Sequence, residues 1–88
     1  MKTAFRDSFA KDLKAVKDKA LLKRIKHIIE SIEDADSLSS LLSIKKLKGH
    51  DQFYRLRVGD YRLGFAVIDD IVVFVRFLNR KDIYKYFP

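Results

Sequence analysis

FYRLRVGDYRLGFAVIDDIVVFVRFL, residues Phe53–Leu78, decides the fold. Three runs, Phe53–Val58, Tyr61–Ile68 and Ile71–Leu78, are rich in the aromatic and β-branched side chains that suit a pleated, half-buried surface. They are separated by Gly59-Asp60 and Asp69-Asp70, both of turn chemistry, so the segment is expected to be an antiparallel meander. Gly59 supplies the positive φ that a two-residue type II′ hairpin needs at its first turn position. If Gly59-Asp60 is the whole loop, Val58 pairs with Tyr61, Arg57 with Arg62, Leu56 with Leu63 and Arg55 with Gly64. Strand side chains alternate between faces. Tyr54, Leu56, Val58, Tyr61, Leu63, Phe65 and Val67 then share one face, while Arg55, Arg57, Arg62, Gly64 and Ala66 share the other as an open cationic floor.

Upstream, the period changes from two to that of a helix. Lys2–Phe5 reads as a short first strand, and Asp7 or Ser8 as the cap of a helix carrying Phe9, Leu13 and Val16. From Ala20 a second stripe, Leu21, Leu22, Ile25, Ile28, Ile29 and Ile32, is rotated well over a right angle from the first at about 100° per residue. The two stripes cannot face one core from one straight helix, so a turn is expected near Asp18, making a helical hairpin. Asp34–Ser37 reads as another turn, and Ser37–Ser43 as one more turn of helix. The expected architecture is α+β in the order β-α-α-β-β-β, with the hairpin of helices packed on one face of a mainly antiparallel four-stranded sheet.

No linker, repeat or low-complexity tract divides residues 1–88, and at that length a single domain buries roughly 60% of its unfolded surface. One domain is therefore expected. No apolar run approaches the ~20 residues of a spanning helix, and Met1-Lys2-Thr3 leads to Ala4 and Phe5 without a signal-peptide hydrophobic region. Cysteine is absent, which excludes disulfides and thiolate zinc sites. A cytoplasmic protein with no membrane association is the expectation. The 19 Lys and Arg against 12 Asp and Glu give a net charge of +7, a field that draws polyanions such as nucleic acid, the ribosome or an acidic protein. The plainer reading of that charge is solubility.

The chemistry concentrates on the floor. Like charges directly opposite across two strands destabilise the pair by about 0.2–1 kcal/mol, and no carboxylate lies in the paired stretch to offset Arg57 against Arg62. An external anion fits there, although long arginine stems can also splay their heads into water. Arg80, Lys81 and Tyr84 follow the last strand, where the chain can turn across the end of the sheet. Arginine suits phosphate because its planar fork donates two parallel bonds and stays charged. Tyr84 can stack on a base or donate its hydroxyl, or pack on the sheet edge with Tyr86 and Phe87. The basic loop Ile44–His50 adds Lys46 and Lys48 as candidates for phosphate contact, or as a merely solvated run. His27 and His50 lack metal-ligand spacing and no phosphate-binding glycine loop is present, so neither a metal nor a small-molecule cofactor is expected.

Phe9-Ala10-Lys11-Asp12-Leu13, Leu47-Lys48-Gly49, Tyr54–Arg62 and Asn79-Arg80-Lys81-Asp82-Ile83-Tyr84 occur in the order found in the RelE/ParE superfamily of type II toxins, and the chain resembles that family, RelE-type members above all, over nearly its whole length. The resemblance implies a toxin that is a ribosome-dependent, metal-independent endoribonuclease, cutting messenger RNA by attack of a 2′-hydroxyl on the adjacent phosphate and so blocking translation. It further implies that Arg62 and Arg80 stabilise the charge developing on the phosphate, that Arg55 and Arg57 stand where some members have lysines, and that Tyr84 takes the position of the terminal tyrosine. Arg55, Lys46, Lys48 and Lys81 are then RNA-binding. Arginine is a poor proton acceptor, which leaves Tyr84, His50, Lys46 and Lys48 open as the general base. Asn79 replaces the histidine that many relatives carry before the arginine. A cognate RelB-like antitoxin that masks the basic site also follows from the resemblance. Two other functions share these features: a ParE-like inhibitor of DNA gyrase, and a non-catalytic, basic nucleic-acid-binding module.

Overall fold

A computed structural model of the protein describes residues 1–36 and 52–88 in full and the backbone of Ile44–Lys46. The helical turn expected in Ser37–Ser43 and the candidates Lys48 and His50 lie outside the described residues, as does the side chain of Lys46. The elements run β1 (Lys2–Phe5), α1 (Asp7–Ala15), α2 (Lys19–Asp34), β2 (Ile44–Lys46), β3 (Phe53–Val58), β4 (Tyr61–Ile68), β5 (Ile71–Asn79) and α3 (Arg80–Tyr86). The expected β-α-α-β-β-β order holds and the class is α+β. Two elements are additional. Ile44–Lys46, read as part of a loop, pairs antiparallel with β3, and the segment after the last strand is a helix. The sheet order is β1-β5-β4-β3-β2, with β1 parallel to β5 and every other pair antiparallel.

The hairpin of helices turns where the two stripes require it. Asp18 is the N-cap of α2, its Oδ1 accepting from the amides of Ala20 at 3.0 Å and Leu21 at 3.2 Å. Neither Asp7 nor Ser8 caps α1. The capping position is Arg6, whose side chain caps nothing, and Ser8 has other work. Phe9, Val16, Ile25 and Ile32 are buried with Leu56, Val58, Leu63 and Phe65, from the sheet face assigned by alternation, and with Phe74 and Phe77 of β5, for which alternation made no assignment.

The strand β1 is short, and this explains the use made of Ser8. Its register ends at Phe5 opposite Phe74, so β5 beyond that point lacks a neighbour on one side. Side chains from α1 supply the missing bonds. Ser8 Oγ donates to the Val75 carbonyl at 2.6 Å, and the Phe77 amide donates to Asp12 Oδ2 at 2.9 Å. Ser8 and Asp12 are one helical turn apart and so share a face of α1. An edge strand's free backbone groups, which would otherwise go unpaired against a packed helix, are thereby satisfied. At the same place β5 carries an irregularity: Gly64 faces Arg76 but Phe65 faces Phe74, so Val75 is the extra residue of a β-bulge.

Both hairpin turns have the length read from the sequence. Val58 pairs with Tyr61 and Ile68 with Ile71. Gly59 has φ +59°, whereas Asp69 and Asp70 both adopt left-handed φ, 51° and 64°. Two consecutive positive values define a type I′ turn, for which Asn-Gly is preferred. Asp70→Gly is expected to stabilise the protein by about 0.5–1 kcal/mol, because the left-handed conformation costs a residue with a Cβ more than it costs glycine. Thermal unfolding should show a Tm higher by roughly 2–8 °C.

Candidate functional site

Arg57 stands directly opposite Arg62, Arg55 opposite Gly64 and Phe53 opposite Ala66, all on the face of the sheet away from α1 and α2. The cationic floor is therefore present, but it is not open throughout. Gly64 and Ala66 are buried, and so are Ile83 and Phe87 from the end of the chain. None of the latter three belongs to the core cluster on the other face. A small second core thus covers the β5 side of the floor, with the ring of Phe87 edge-on to that of Phe53 at 5.6 Å. A Cβ on Gly64 would lie 2.8 Å from three carbons of the Phe87 ring, and this explains why the position has no side chain. Gly64→Ala is expected to cost about 1–3 kcal/mol by overpacking. A Gly64→Ala, Phe87→Leu double variant should lose less than the sum of its parts in a double-mutant cycle of urea unfolding.

What stays exposed is the arginine half. Arg57 and Arg80 are exposed and, among the described residues, make no side-chain hydrogen bond or ion pair. Arg62 is half-buried, its Nη1 donating to the carbonyls of Gly59 at 2.9 Å and Tyr61 at 2.8 Å. These bonds hold the guanidinium at the hairpin turn and, among the described residues, leave its other N–H donors free. Arg55 is not free: its guanidinium lies 4.7 Å from the centroid of the Tyr84 ring, a cation–π contact. Tyr84 is 67% exposed, so it stacks on an arginine and is not packed into the sheet edge.

Helix α3 brings Arg80 and Tyr84 to the floor in register with it. Asn79 is its N-cap, the side chain accepting from the Lys81 amide at 3.0 Å, and the Arg80 amide donates to the Asp60 carbonyl at 2.9 Å. The start of α3 is thus fastened to the same turn that holds Arg62. Arg80 and Tyr84 are four residues apart, about 6 Å along a helix, which matches the roughly 6.6 Å between alternate residues of a strand. Arg80 therefore lies at the turn, with Tyr84 farther along the strand beside Arg55. Lys81 is exposed at the start of the same helix. Arg55, Arg57, Arg62, Arg80 and Tyr84 are gathered at one end of one sheet face.

The sequence model for the ParE toxin of type II toxin-antitoxin systems, parDE, matches residues 4–84. The chain belongs to the RelE/ParE superfamily of type II toxins. Toxin RelE3 of Methanocaldococcus jannaschii is 51% identical over 89 residues, covering the whole of both chains. A chain of the RelB-RelE antitoxin-toxin complex from Methanococcus jannaschii superposes with a TM-score of 0.83 at 48% identity, over 97% of this chain and 99% of that one. The YoeB dimer from Staphylococcus aureus shares the fold, with a TM-score of 0.73 at 23% identity over 91% of this toxin and 97% of that chain.

Two residues of the toxin that matter for the site have no counterpart among the sequence-based candidates. Arg76 donates from Nε to Asp12 Oδ2 at 2.8 Å and from Nη2 to Asp12 Oδ1 at 2.9 Å, a bidentate pair that is mostly shielded from water. The hydrogen bond and charge of Asp12 push the Arg76 pKa above the ordinary arginine value, partly opposed by burial. A raised folded-state value stabilises the fold at all pH below the unfolded value and is lost only as pH rises through the folded one. The pair is consequently intact throughout the neutral and alkaline range. Only the spacing Asp12-to-Arg76 across the chain could have revealed it, and spacing of that length carries no signal. Among the described residues no helix is long and apolar enough to cross a membrane.

Proposed function

We propose that residues 1–88 act as one toxin domain, a cytoplasmic, ribosome-dependent endoribonuclease that cuts messenger RNA. The observation that carries this reading is the opposed Arg57–Arg62 pair at the hairpin turn, with Arg80 and Tyr84 brought alongside and no carboxylate paired to these arginines among the described residues. A phosphodiester seated there offsets the repulsion across the strands. When a 2′-hydroxyl attacks the adjacent phosphorus, charge grows on the non-bridging oxygens. Arg62, held by two backbone carbonyls, is preorganised to stabilise it, and Arg80, carried on the capped start of α3, is near enough to the turn to join it. The attack forms a 2′,3′-cyclic phosphate and releases a 5′-hydroxyl. Arg57 shares the charge, Arg55 and Lys81 hold flanking phosphates with Lys46 and Lys48, and the exposed Tyr84 ring stacks on a base or passes a proton through its hydroxyl.

An acidic or amphipathic antitoxin is the expected partner in the resting cell, as RelB is for the M. jannaschii toxin in its complex. The test is purified toxin added to ribosomes programmed with message, with and without EDTA. Primer extension should show new ends inside ribosome-occupied codons under both conditions. Intact message on competent ribosomes overturns the reading. The match to the ParE toxin model favours one alternative, inhibition of DNA gyrase, and blocked supercoiling with message left whole would establish it.

A further inference from the structure

The face that carries the arginine cluster also carries a cross-strand row, Arg55–Gly64–Arg76. The C-terminal segment is laid on this row residue by residue. Tyr84 meets Arg55 with 4.7 Å between guanidinium and ring centroid, the Phe87 ring fills the space at Gly64, and Tyr86 meets Arg76 at 5.6 Å. Tyr84 and Tyr86 leave α3 about 200° apart, so the two cation–π contacts flank the helix with the glycine notch between them. Rotation of α3 about its axis would lift one ring off its arginine as it pressed the other down. Seven residues are too few to hold a helix by its own backbone bonds, so the bearing surface sets where α3 lies.

One of the two bearings is itself fixed. The fork of Arg76 is locked by Asp12 from α1, which also takes the Phe77 amide beside the bulge. Lysine could not reproduce this, having neither a bidentate fork nor a planar face to lay against a ring. Tyr86 is 59% exposed and adds little to either core.

We propose that Asp12, Arg76 and Tyr86 are positioning residues that set the rotation of α3 and thereby the placement of Arg80 and Tyr84. The proposal deepens, and for its kinetic consequences rests on, the ribonuclease reading of the site. Arg76→Lys and Tyr86→Leu are expected to lower kcat on ribosome-bound message by on the order of 10- to 100-fold with KM unchanged. Tyr86→Phe keeps the ring and should restore kcat. An independent reading comes from NMR of the Arg55 Nε–H group, whose resonance is shifted by the Tyr84 ring. In Arg76→Lys and Tyr86→Leu it should move toward its position in Tyr84→Leu. Wild-type kcat together with an unmoved Arg55 resonance in Tyr86→Leu overturns the proposal. So does a loss of kcat with that resonance unmoved, since Tyr86 would then be acting on RNA directly. If the wild-type toxin cuts no message while the resonance still responds, the ribonuclease reading falls and the positioning of α3 stands.

Discussion

Arg62→Ala is expected to reduce message cleavage on the ribosome by on the order of 100- to 1,000-fold while leaving the protein folded. The two effects separate because of where Arg62 sits. It faces Arg57 across the hairpin, so its removal relieves a like-charge pair worth about 0.2–1 kcal/mol. Against that stands the loss of two bonds to the turn carbonyls of Gly59 and Tyr61, each worth about 0.5–1.5 kcal/mol or less at a partly exposed site. Unfolding midpoints should therefore stay near those of the wild type. Cleavage should not, because a guanidinium already held in place stabilises transition-state charge without reorganising. Arg62→Lys keeps the charge and loses the fork, and an intermediate rate is expected. Primer extension across a message set, with urea unfolding of the same preparations, provides the check. Full cutting by a folded Arg62→Ala protein would remove this residue from the centre of the site.

Asp12→Ala should differ from Arg62→Ala in having a large effect on stability. The carboxylate accepts from Arg76 Nε and Nη2 and from the Phe77 amide, and its own side chain is 9% exposed. Alanine leaves a half-buried guanidinium and an edge-strand amide without the hydrogen-bond acceptor they share. Stranding groups of this kind costs about 2–4 kcal/mol, against a total of roughly 4–13 kcal/mol for a domain of this size. Asp12→Asn retains an acceptor and is expected to lose less. Urea denaturation gives the free energy, and hydrogen exchange at the Phe77 amide locates it, since that amide should become one of the fast exchangers of β5. A loss below about 1 kcal/mol would place the pair with ordinary surface ion pairs.

The hairpin and its charged face were legible in the residues because a strand has a period of two and a two-residue turn leaves no freedom of register. Once Gly59-Asp60 is the loop, Arg57 must meet Arg62, and the structure has them opposite. The break between the helices was legible for a similar reason, since two apolar stripes out of phase cannot serve one core, and Asp18 caps the second helix where the phase changes. What covers part of that same face was not legible. Alternation assigns Gly64 and Ala66 to the arginine face, but it contains nothing to say that Ile83 and Phe87 return to cover them. The bulge at Val75 is equally silent, because one inserted residue leaves the composition of β5 unchanged.

Local sequence therefore determined those features of this toxin that rest on local periodicity: the two helices, the meander, the register of its first hairpin, and the line of arginines. The tertiary structure alone decided what depends on residues far apart in the chain. Arg76 finds Asp12 across 64 positions, with Ser8 and Asp12 standing in for a strand that β1 is too short to provide. A seven-residue helix takes its place from a glycine notch and two arginines beneath it. Short-range backbone and side-chain preferences can be read position by position. The satisfaction of an edge strand and the seating of a marginal helix are properties of the packed surface, and they exist only once the chain has closed on itself.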